Sequence, residues 1–173
     1  LSGGECTLQP EFSLGLLRAA KDLGISTAIE SMAYAKYEVI ETLLPYLDVY
    51  LMDIKHTNPE KHKEYTGRDN LRMLENARRV AQSGQTELII RVPVIPGFND
   101  TEKELLDIAE FADSLPGVRQ IHLLPYHNFG QGKYEGLNRD YPMGDTPKPS
   151  NARMKALKEI IQKNTSLHCQ IGG

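Results

Sequence analysis

The sequence predicts an α/β protein in which parallel strands form an open or partial barrel. Short apolar runs alternate with helical segments along the chain, and Gly or Pro residues separate them. Runs such as Leu88-Ile89-Ile90 are typical of strands that are buried on both faces, as in a parallel sheet. Because parallel neighbours need a crossover helix, this alternation indicates right-handed β/α units in a single domain of residues 1–173. A complete eight-unit barrel usually needs roughly 250 residues.

Each element is predicted from its own pattern. A helix is expected where apolar residues recur three or four apart before Gly or Pro, as Phe12 and Leu16 do before Gly24. Thr101 with Glu104 forms a capping-box pattern that begins a later helix. In chain order we expect a helix over 9–23, a strand over 26–31, a helix from Tyr37 to near Pro45, a strand over 48–55, a helix from Leu71 to before Gly84, a strand over 87–92, a helix after Thr101, a strand over 118–124, a helix around 154–161 and a strand over 167–171.

The charge composition of the sequence argues against some classes of binding partner. The formal net charge is −3, and Lys and Arg are interspersed with acidic residues, which argues against a nucleic-acid or anionic-membrane surface. No apolar run approaches the roughly 20 residues of a membrane span, and the first residues carry no signal pattern. Cys6 and Cys169 form no cysteine framework, which suits a reducing, cytoplasmic setting. The first residue is Leu1 rather than Met, so a fragment or trimmed chain is expected.

Polar residues fall where the predicted strands end, and the carboxyl ends of parallel strands share one rim where ligands bind. Glu30 and Ser31 close one strand, and Asp53 and Lys55 close the next. Asp53 and Lys55 point to the same face because strand side chains alternate, so they offer an acceptor beside a cation, which suits a zwitterionic ligand. A salt bridge that finishes the strand is the alternative. Further along the chain, Arg91 and His127 are placed at the same rim.

Two loops carry weaker signals. Gly3-Gly4 can adopt positive φ and bring its backbone close to a ligand, or it can be a simple turn. The segment Arg91 to Gly97 begins as a strand, but Pro93 lacks the amide of a central ladder, so the chain leaves the sheet there. Its apolar end could lie along a flat ring or cross over the core. The remaining histidines show no metal-ligand spacing and are interpreted as structural or solvated: His56, His62, His122 and His168.

Four motifs in order carry a family resemblance. They are Ser2-Gly3-Gly4-Glu5, Met52-Asp53-Ile54-Lys55, Arg91 to Asp100 (Arg-Val-Pro-Val-Ile-Pro-Gly-Phe-Asn-Asp) and Leu124-Pro125-Tyr126-His127. Together they resemble the glycyl-radical-enzyme activating enzymes of the radical S-adenosylmethionine superfamily. The resemblance implies a partial (β/α)6 barrel and a [4Fe-4S] cluster held by a CxxxCxxC loop. It also implies cleavage of S-adenosylmethionine to a 5′-deoxyadenosyl radical, which takes a hydrogen atom from a glycine of a pyruvate formate-lyase-type partner. Flavodoxin or ferredoxin would be the electron donor.

The resemblance also implies residue roles. The loop Gly3, Gly4 and Glu5 would bind the methionine amino group, and Lys55 would bind its carboxylate. Glu30, Ser31 and Asp53 match an acidic rim that holds a monovalent cation in some members. Arg91 and His127 would contact the nucleoside, and Ile95, Pro96 and Gly97 would line the adenine. In the long segment 126–149, which is expected to be functional or disordered, Phe129, Lys133 and Tyr134 are candidates for docking the partner.

Three departures from the family pattern stand out. Cys6 replaces the usual Pro, and a small packed thiol is favoured there over an iron ligand. Glu30 replaces the usual Asp, and the three-cysteine loop is not in this sequence. We therefore expect a C-terminal portion that lacks the first strand or strands and the cluster region, and that is inactive alone. The alternatives are a TIM-type lyase or aldolase that uses Lys55 as a Schiff-base nucleophile and a non-catalytic binding module.

Overall fold

The protein is described here by a computed structural model that covers residues 1–141, 143–144 and 146–172, without the side chain of Lys133. Five strands form one sheet in the order β1-β2-β3-β4-β5, and every neighbouring pair is parallel. Because each strand lies beside the next one in sequence, crossovers of one hand place the helices on one face of the sheet. This arrangement confirms the predicted α/β partial barrel. The strands are β1 (Ala28–Ser31), β2 (Val49–Asp53), β3 (Glu87–Val94), β4 (Gln120–Pro125) and β5 (His168–Ile171).

The described residues form seven α-helices and two short 3₁₀ helices. Capping residues set several of their ends: Gly84 ends one helix with a left-handed φ of 60°, and Thr101 and Glu104 form the predicted capping box of another. The α-helices are α1 (Pro10–Asp22), α2 (Tyr37–Leu43), α3 (Pro59–Thr66), α4 (Leu71–Ser83), α5 (Glu102–Asp113), α6 (Gln131–Gly136) and α7 (Asn151–Asn164), and the 3₁₀ helices are Cys6–Leu8 and Leu44–Tyr46. Among these residues, no helix combines the length and the apolar character that crossing a membrane requires.

Two of these helices were not predicted. Helix α3 is almost entirely polar, so it lacks the apolar periodicity on which the prediction rested. Its ends are nevertheless well defined, because the Asn58 side chain accepts from the amides of Glu60 and Lys61, and Gly67 closes the helix with a φ of 79°. Helix α6 lies within the long segment 126–149. That segment was expected to be functional or disordered, and no helix was predicted in it.

The two faces of the sheet differ in burial, and this difference places the polar residues. Side chains on one face, among them Tyr50 and Ile90, are fully buried in the core that the helices cover. The alternate positions point to the opposite face, which is only partly buried in β1 and β2. Glu30, Asp53 and Arg91 all belong to this second face, and the register places Asp53 directly beside Arg91. Strand alternation therefore gathers three charged side chains on one surface.

The first residue also belongs to the sheet. The amide of Glu30 donates to the carbonyl of Leu1 at 2.9 Å, and the Leu1 nitrogen donates to the carbonyl of Ala28. Bonds to two residues that flank Ile29 are the pattern of a parallel ladder. The loop that follows, Gly3-Gly4, is thereby fixed at the carboxyl end of β1.

Candidate functional site

A cavity of about 200 Å³ opens at the carboxyl ends of β1, β2 and β3. In parallel α/β folds this is the end of the sheet at which ligands bind. The cavity brings together eight residues that were predicted from the sequence, and Met32 in addition. Its lining consists of Gly3, Gly4, Glu5, Glu30, Ser31, Met32, Asp53, Lys55 and Arg91.

The glycine loop forms one wall of this cavity. Gly3 and Gly4 have φ values of 94° and 152°, which side chains on Cβ disfavour, so the sequence Gly-Gly is required by the backbone path. Glu5 holds the loop in place, since one carboxylate oxygen accepts from Ser31 Oγ at 2.7 Å and the other from the Met32 amide at 3.1 Å. The carboxylate of Glu5 is thus engaged by the protein itself. The loop presents its backbone, rather than this carboxylate, to the cavity.

Arg91 joins the two carboxylates of the rim. Its Nη1 donates to Glu30 at 2.7 Å and its Nε donates to Asp53 Oδ1 at 3.0 Å, while Nη2 lies 2.9 Å from the same Asp53 oxygen in an ion pair. A hydrogen bond from Ser2 Oγ, together with the guanidinium, lowers the pKa of Glu30. Burial alone would lower the pKa of Arg91, but the two carboxylates outweigh it and raise that pKa. Glu30 and Arg91 are therefore charged at neutral pH, and the guanidinium links the carboxylates of β1 and β2 by charge-assisted hydrogen bonds.

Of the two cations that line the cavity, Lys55 and Arg91, only Arg91 donates hydrogen bonds to the neighbouring carboxylates. The Nζ of Lys55 lies 3.7 Å from the nearest oxygen of Asp53, beyond hydrogen-bond range, and the Lys55 side chain is about one quarter exposed (26%). The cavity lining holds both signs of formal charge, with Glu5, Glu30 and Asp53 as the acidic residues and Arg91 and Lys55 as the basic ones. A zwitterionic ligand fits such a site, because Lys55 can take its carboxylate while carbonyl oxygens of the glycine loop take its ammonium group.

The segment Ile95 to Gly97 leaves the sheet after β3. The strand continues two residues further than predicted, because Pro93 and Val94 still pair with Leu124 and Pro125 of β4. The Ile95 amide donates to the side chain of Asn99 at 2.8 Å, and the Gly97 amide donates to Asp100 at 2.9 Å, while Pro96 has no amide hydrogen. The backbone donors of this segment are consumed within the protein. A flat ring placed against it would therefore be held by apolar contact.

His127 lies outside the cavity lining. It is exposed, and its ring packs against that of Phe129 with 4.3 Å between the centroids. Phe129 itself is 74% exposed. Tyr134 meets Tyr141 edge-on at 5.3 Å, and the Tyr141 hydroxyl is bonded to that of Tyr126 at 2.8 Å, so aromatic contacts anchor this segment. The side chain of Lys133, a predicted docking residue, lies outside what the structure describes.

The two cysteines lie at separate places in the fold. Cys6 is half-buried against the core, with its Sγ 3.9 Å from the carbonyl of Glu30. Cys169 is fully buried in β5. Within residues 1–141, 143–144 and 146–172, no group of three or more His, Cys, Asp or Glu side chains could hold a metal ion. The described residues therefore supply no ligand set for a metal cluster.

Besides Met32, sequence reasoning missed two other members of the site region. Ser2 was included in a motif without a role, yet its hydroxyl donates to Glu30 at 2.6 Å. Asn99 is fully buried and bonds to the loop beside it and to Lys55, although it was predicted only as part of a loop. An Asn three residues after a Pro, in a Gly-containing turn, signals local hydrogen bonding, but not the distant carbonyl that it reaches.

Comparisons with known proteins agree with this geometry. The family model described as the radical SAM superfamily matches residues 1–112. The choline trimethylamine-lyase activating enzyme of Oleidesulfovibrio alaskensis is 38% identical over 166 residues, which are 94% of this chain and 53% of the relative. The isethionate sulfite-lyase activating enzyme of Desulfovibrio desulfuricans is 44% identical over 164 residues, 94% of this chain and 51% of the relative. The chain spans about half the length of these curated relatives.

A solved structure shows the same fold over the whole chain. A domain of the pyruvate-formate lyase-activating enzyme from Bacteroides vulgatus superposes with a TM-score of 0.81 at 29% identity, and the match covers 100% of this chain and 97% of that one. The family model covers more than half of the chain, and the solved domain shares its fold. The protein therefore belongs to the radical SAM superfamily.

Proposed function

We propose that this chain forms the S-adenosylmethionine-binding part of a glycyl-radical-enzyme activating enzyme. The observation that carries the proposal is the cavity at the ends of β1, β2 and β3, whose lining combines a positive-φ glycine loop, the Lys55 cation and acidic side chains. The methionine end of S-adenosylmethionine carries one ammonium and one carboxylate group, so it needs acceptors and a cation at such a spacing. The relatives named above, which are activating enzymes of lyases, support the same reading.

In this proposal each residue of the cavity binds a different group of the ligand or holds a binding residue in place. Lys55 binds the carboxylate because its ammonium group is not consumed by Asp53. The carbonyls of Gly3 and Gly4 accept from the ammonium group of the ligand, and Glu5 keeps that loop against β1. Arg91 fixes Glu30 and Asp53; its predicted contact with the nucleoside stays a prediction.

The nucleoside would extend towards the segment after β3. Ile95 and Pro96 offer apolar surface to the adenine ring, since the free donors of the segment are used by Asn99 and Asp100. His127, exposed at the end of β4, is the proposed neighbour of the ribose. When bound, S-adenosylmethionine and a [4Fe-4S] cluster supply reductive cleavage of a carbon–sulfur bond and hydrogen-atom abstraction from a glycine. The present residues contribute binding and orientation, and the chain by itself is proposed to be inactive.

The partner is proposed to dock on the segment that follows β4. Phe129 and Leu137 are 74% and 67% exposed there, which gives an apolar surface beside the rim. A glycyl radical enzyme of the pyruvate formate-lyase type is the proposed partner, and flavodoxin or ferredoxin the proposed electron donor.

Ligand titration followed by amide NMR tests the binding part of the proposal. S-adenosylmethionine should shift the resonances of Gly3, Gly4 and Lys55, and Lys55→Met should raise the dissociation constant about tenfold or more, because a charge-assisted bond is lost. Lys63→Met, which removes an exposed lysine from α3, is the matched control and should leave binding unchanged. Equal effects of the two substitutions would contradict the assignment of Lys55.

A second experiment tests the reaction. The coding sequence upstream of Leu1 should contain CxxxCxxC, and the longer protein, reconstituted without oxygen with iron and sulfide, should release methionine and 5′-deoxyadenosine on reduction. Borohydride trapping of a carbonyl substrate on Lys55, with no cleavage of S-adenosylmethionine, would support the lyase alternative and contradict the proposed activating-enzyme function.

A further inference from the structure

Asn99 is a buried amide whose hydrogen-bonding groups are all engaged. It is 0% exposed, and its Oδ1 accepts from the Ile95 amide at 2.8 Å. Its Nδ2 donates to the carbonyl of Lys55 at 2.7 Å and to the carbonyl of Pro93 at 2.8 Å. One side chain therefore satisfies three backbone groups, which belong to the loop after β2, to the end of β3 and to the segment that follows β3.

These three bonds join the two ends of the proposed cofactor site. The carbonyl of Lys55 belongs to the loop after β2, which carries the cation of the cavity. Pro93 lies near the end of β3, and Ile95 begins the apolar segment that follows this strand. We propose that Asn99 is a positioning residue that fixes the distance between the Lys55 cation and the apolar Ile95 to Gly97 segment, so that both ends of one ligand are held at once. This inference rests on the proposed function.

Other side chains hold the same segment without reaching Lys55. The Tyr65 hydroxyl donates to the carbonyl of Gly97 at 2.9 Å, and Asp100 accepts from the Gly97 amide at 2.9 Å. The ring of Phe98 stacks on that of Tyr65 with 4.4 Å between the centroids. These contacts shape the turn itself. Asn99 differs from them because it ties the turn to a neighbouring strand's loop.

The chemistry of the amide explains why this position needs Asn. An amide offers two donors and one acceptor in a single plane, which matches two carbonyls and one N–H group. In Asn99→Asp the acceptor for Ile95 remains, but both donors are lost and an oxygen faces two carbonyl oxygens. In Asn99→Ala all three bonds are lost. Both variants lose the hydrogen bond to the Lys55 carbonyl, but only Asn99→Ala also loses the acceptor for the Ile95 amide. Comparing the two variants therefore separates the effects of these two bonds.

The test compares a whole ligand with its two halves, using the full chain and NMR titration. S-adenosylhomocysteine, methionine and adenosine are titrated into the wild-type protein, Asn99→Asp and Asn99→Ala. If Asn99 sets the spacing of the two ends, both variants should bind S-adenosylhomocysteine at least tenfold more weakly, while each half changes less than about threefold, because only the linked ligand depends on the spacing. Tyr65→Phe, which loosens the turn alone, should change all three affinities less than threefold.

Hydrogen exchange gives a readout without any ligand. The Ile95 amide should exchange at least tenfold faster in Asn99→Ala than in Asn99→Asp, which keeps its acceptor. If the halves lose as much affinity as the whole ligand, or if S-adenosylhomocysteine binding is unchanged in both variants, Asn99 is a structural residue and the inference is overturned. If the wild-type chain binds none of the three ligands, this result contradicts the proposed function, and with it the inference that rests on that function.

Discussion

At the residue scale, the guanidinium of Arg91, a residue of β3, holds together side chains from the two strands β1 and β2. Its side chain is 12% exposed and donates to Glu30 on β1 and to Asp53 on β2. We expect Arg91→Met to lower the free energy of unfolding by about 2 kcal/mol, since two carboxylates would be left close together and partly buried. Arg91→Lys should recover only part of this loss, because a lysine cannot supply the planar fork. Urea unfolding followed by circular dichroism measures both changes.

Lys103→Met provides the control for that comparison. It removes the cation of an exposed pair with Asp107 on α5, where the Lys103 side chain is 82% exposed. Exposed pairs contribute little to stability. No measurable change in the urea midpoint is expected for Lys103→Met, and an equal loss for Lys103→Met and Arg91→Met would contradict a special role for Arg91.

Glu104 makes a pH-dependent contribution to stability. Burial would raise the pKa of its carboxyl, but hydrogen bonds from Lys61, Thr101 and His56 outweigh burial and hold the pKa at about 2. The folded pKa thus lies below the unfolded value of about 4.3, so the contribution is present above pH 4.3 and disappears as the pH falls towards 2. It is on the order of 3 kcal/mol at neutral pH.

The variant Glu104→Gln tests this pH dependence. The difference in unfolding free energy between the wild-type protein and the variant should be constant from pH 7 to 5 and should shrink between about pH 4.3 and 2. Urea titrations at a series of pH values measure it. A difference that stays constant down to pH 2 would show that the carboxylate charge is not the cause.

At the scale of the elements, the loop after β1 depends on a side chain from helix α4. Ala33 has a φ of 57°, a left-handed conformation that costs a residue with Cβ about 1–2 kcal/mol. Asn76 is buried, and its Nδ2 donates to the carbonyls of Ala33 and Ala35 at 2.8 and 2.9 Å. The helix therefore holds the loop that carries Met32 into the cavity.

We expect Asn76→Ala to lower the free energy of unfolding by about 2 kcal/mol. Two hydrogen bonds are lost and two carbonyls remain without their donor, while the better helix propensity of Ala offsets part of the cost. Asn164→Ala is the matched control, since this Asn donates to Ile160 at the exposed end of α7, and it should change stability by less than about 0.5 kcal/mol. Thermal melts of both variants measure the difference.

Elements with a clear apolar period could be predicted from the sequence, and others could not. Helix α5 combines a capping box with a buried stripe, so its start and its buried face were both readable. Helix α3 has caps but no such stripe, so it was missed. At the site, the alternation predicted for residues 48–55 put Asp53 and Lys55 on one face. Both side chains do line the cavity, although β2 ends at Asp53 and Lys55 lies in the loop that follows. The stronger partner of Asp53, Arg91, comes from β3, and the register between two strands is set by packing across the sheet rather than by either segment alone.

At the scale of the whole molecule, the two cysteine thiols need movements of different size before they can react with a reagent in solution. Cys169 lies in β5, which pairs only with β4, and burial raises its pKa to about 11. Cys6 is half-buried beside the glycine loop, and its pKa is also raised, first by burial and then by Glu5. Reaction of Cys169 with a thiol reagent therefore requires β5 to separate from the core, whereas Cys6 needs only a local movement.

Labelling with iodoacetamide at pH 8, followed by intact-mass measurement, should show two phases. Cys169→Ser should retain only the fast phase and Cys6→Ser only the slow one, which should be at least about 100-fold slower because burial and a thiolate fraction near one in a thousand both limit it. The rate of the slow phase should rise with urea along the slope measured for global unfolding, because β5 closes one side of the core that the whole sheet shares. A slow phase that does not respond to urea would mean instead that β5 opens by itself while the rest of the sheet remains folded.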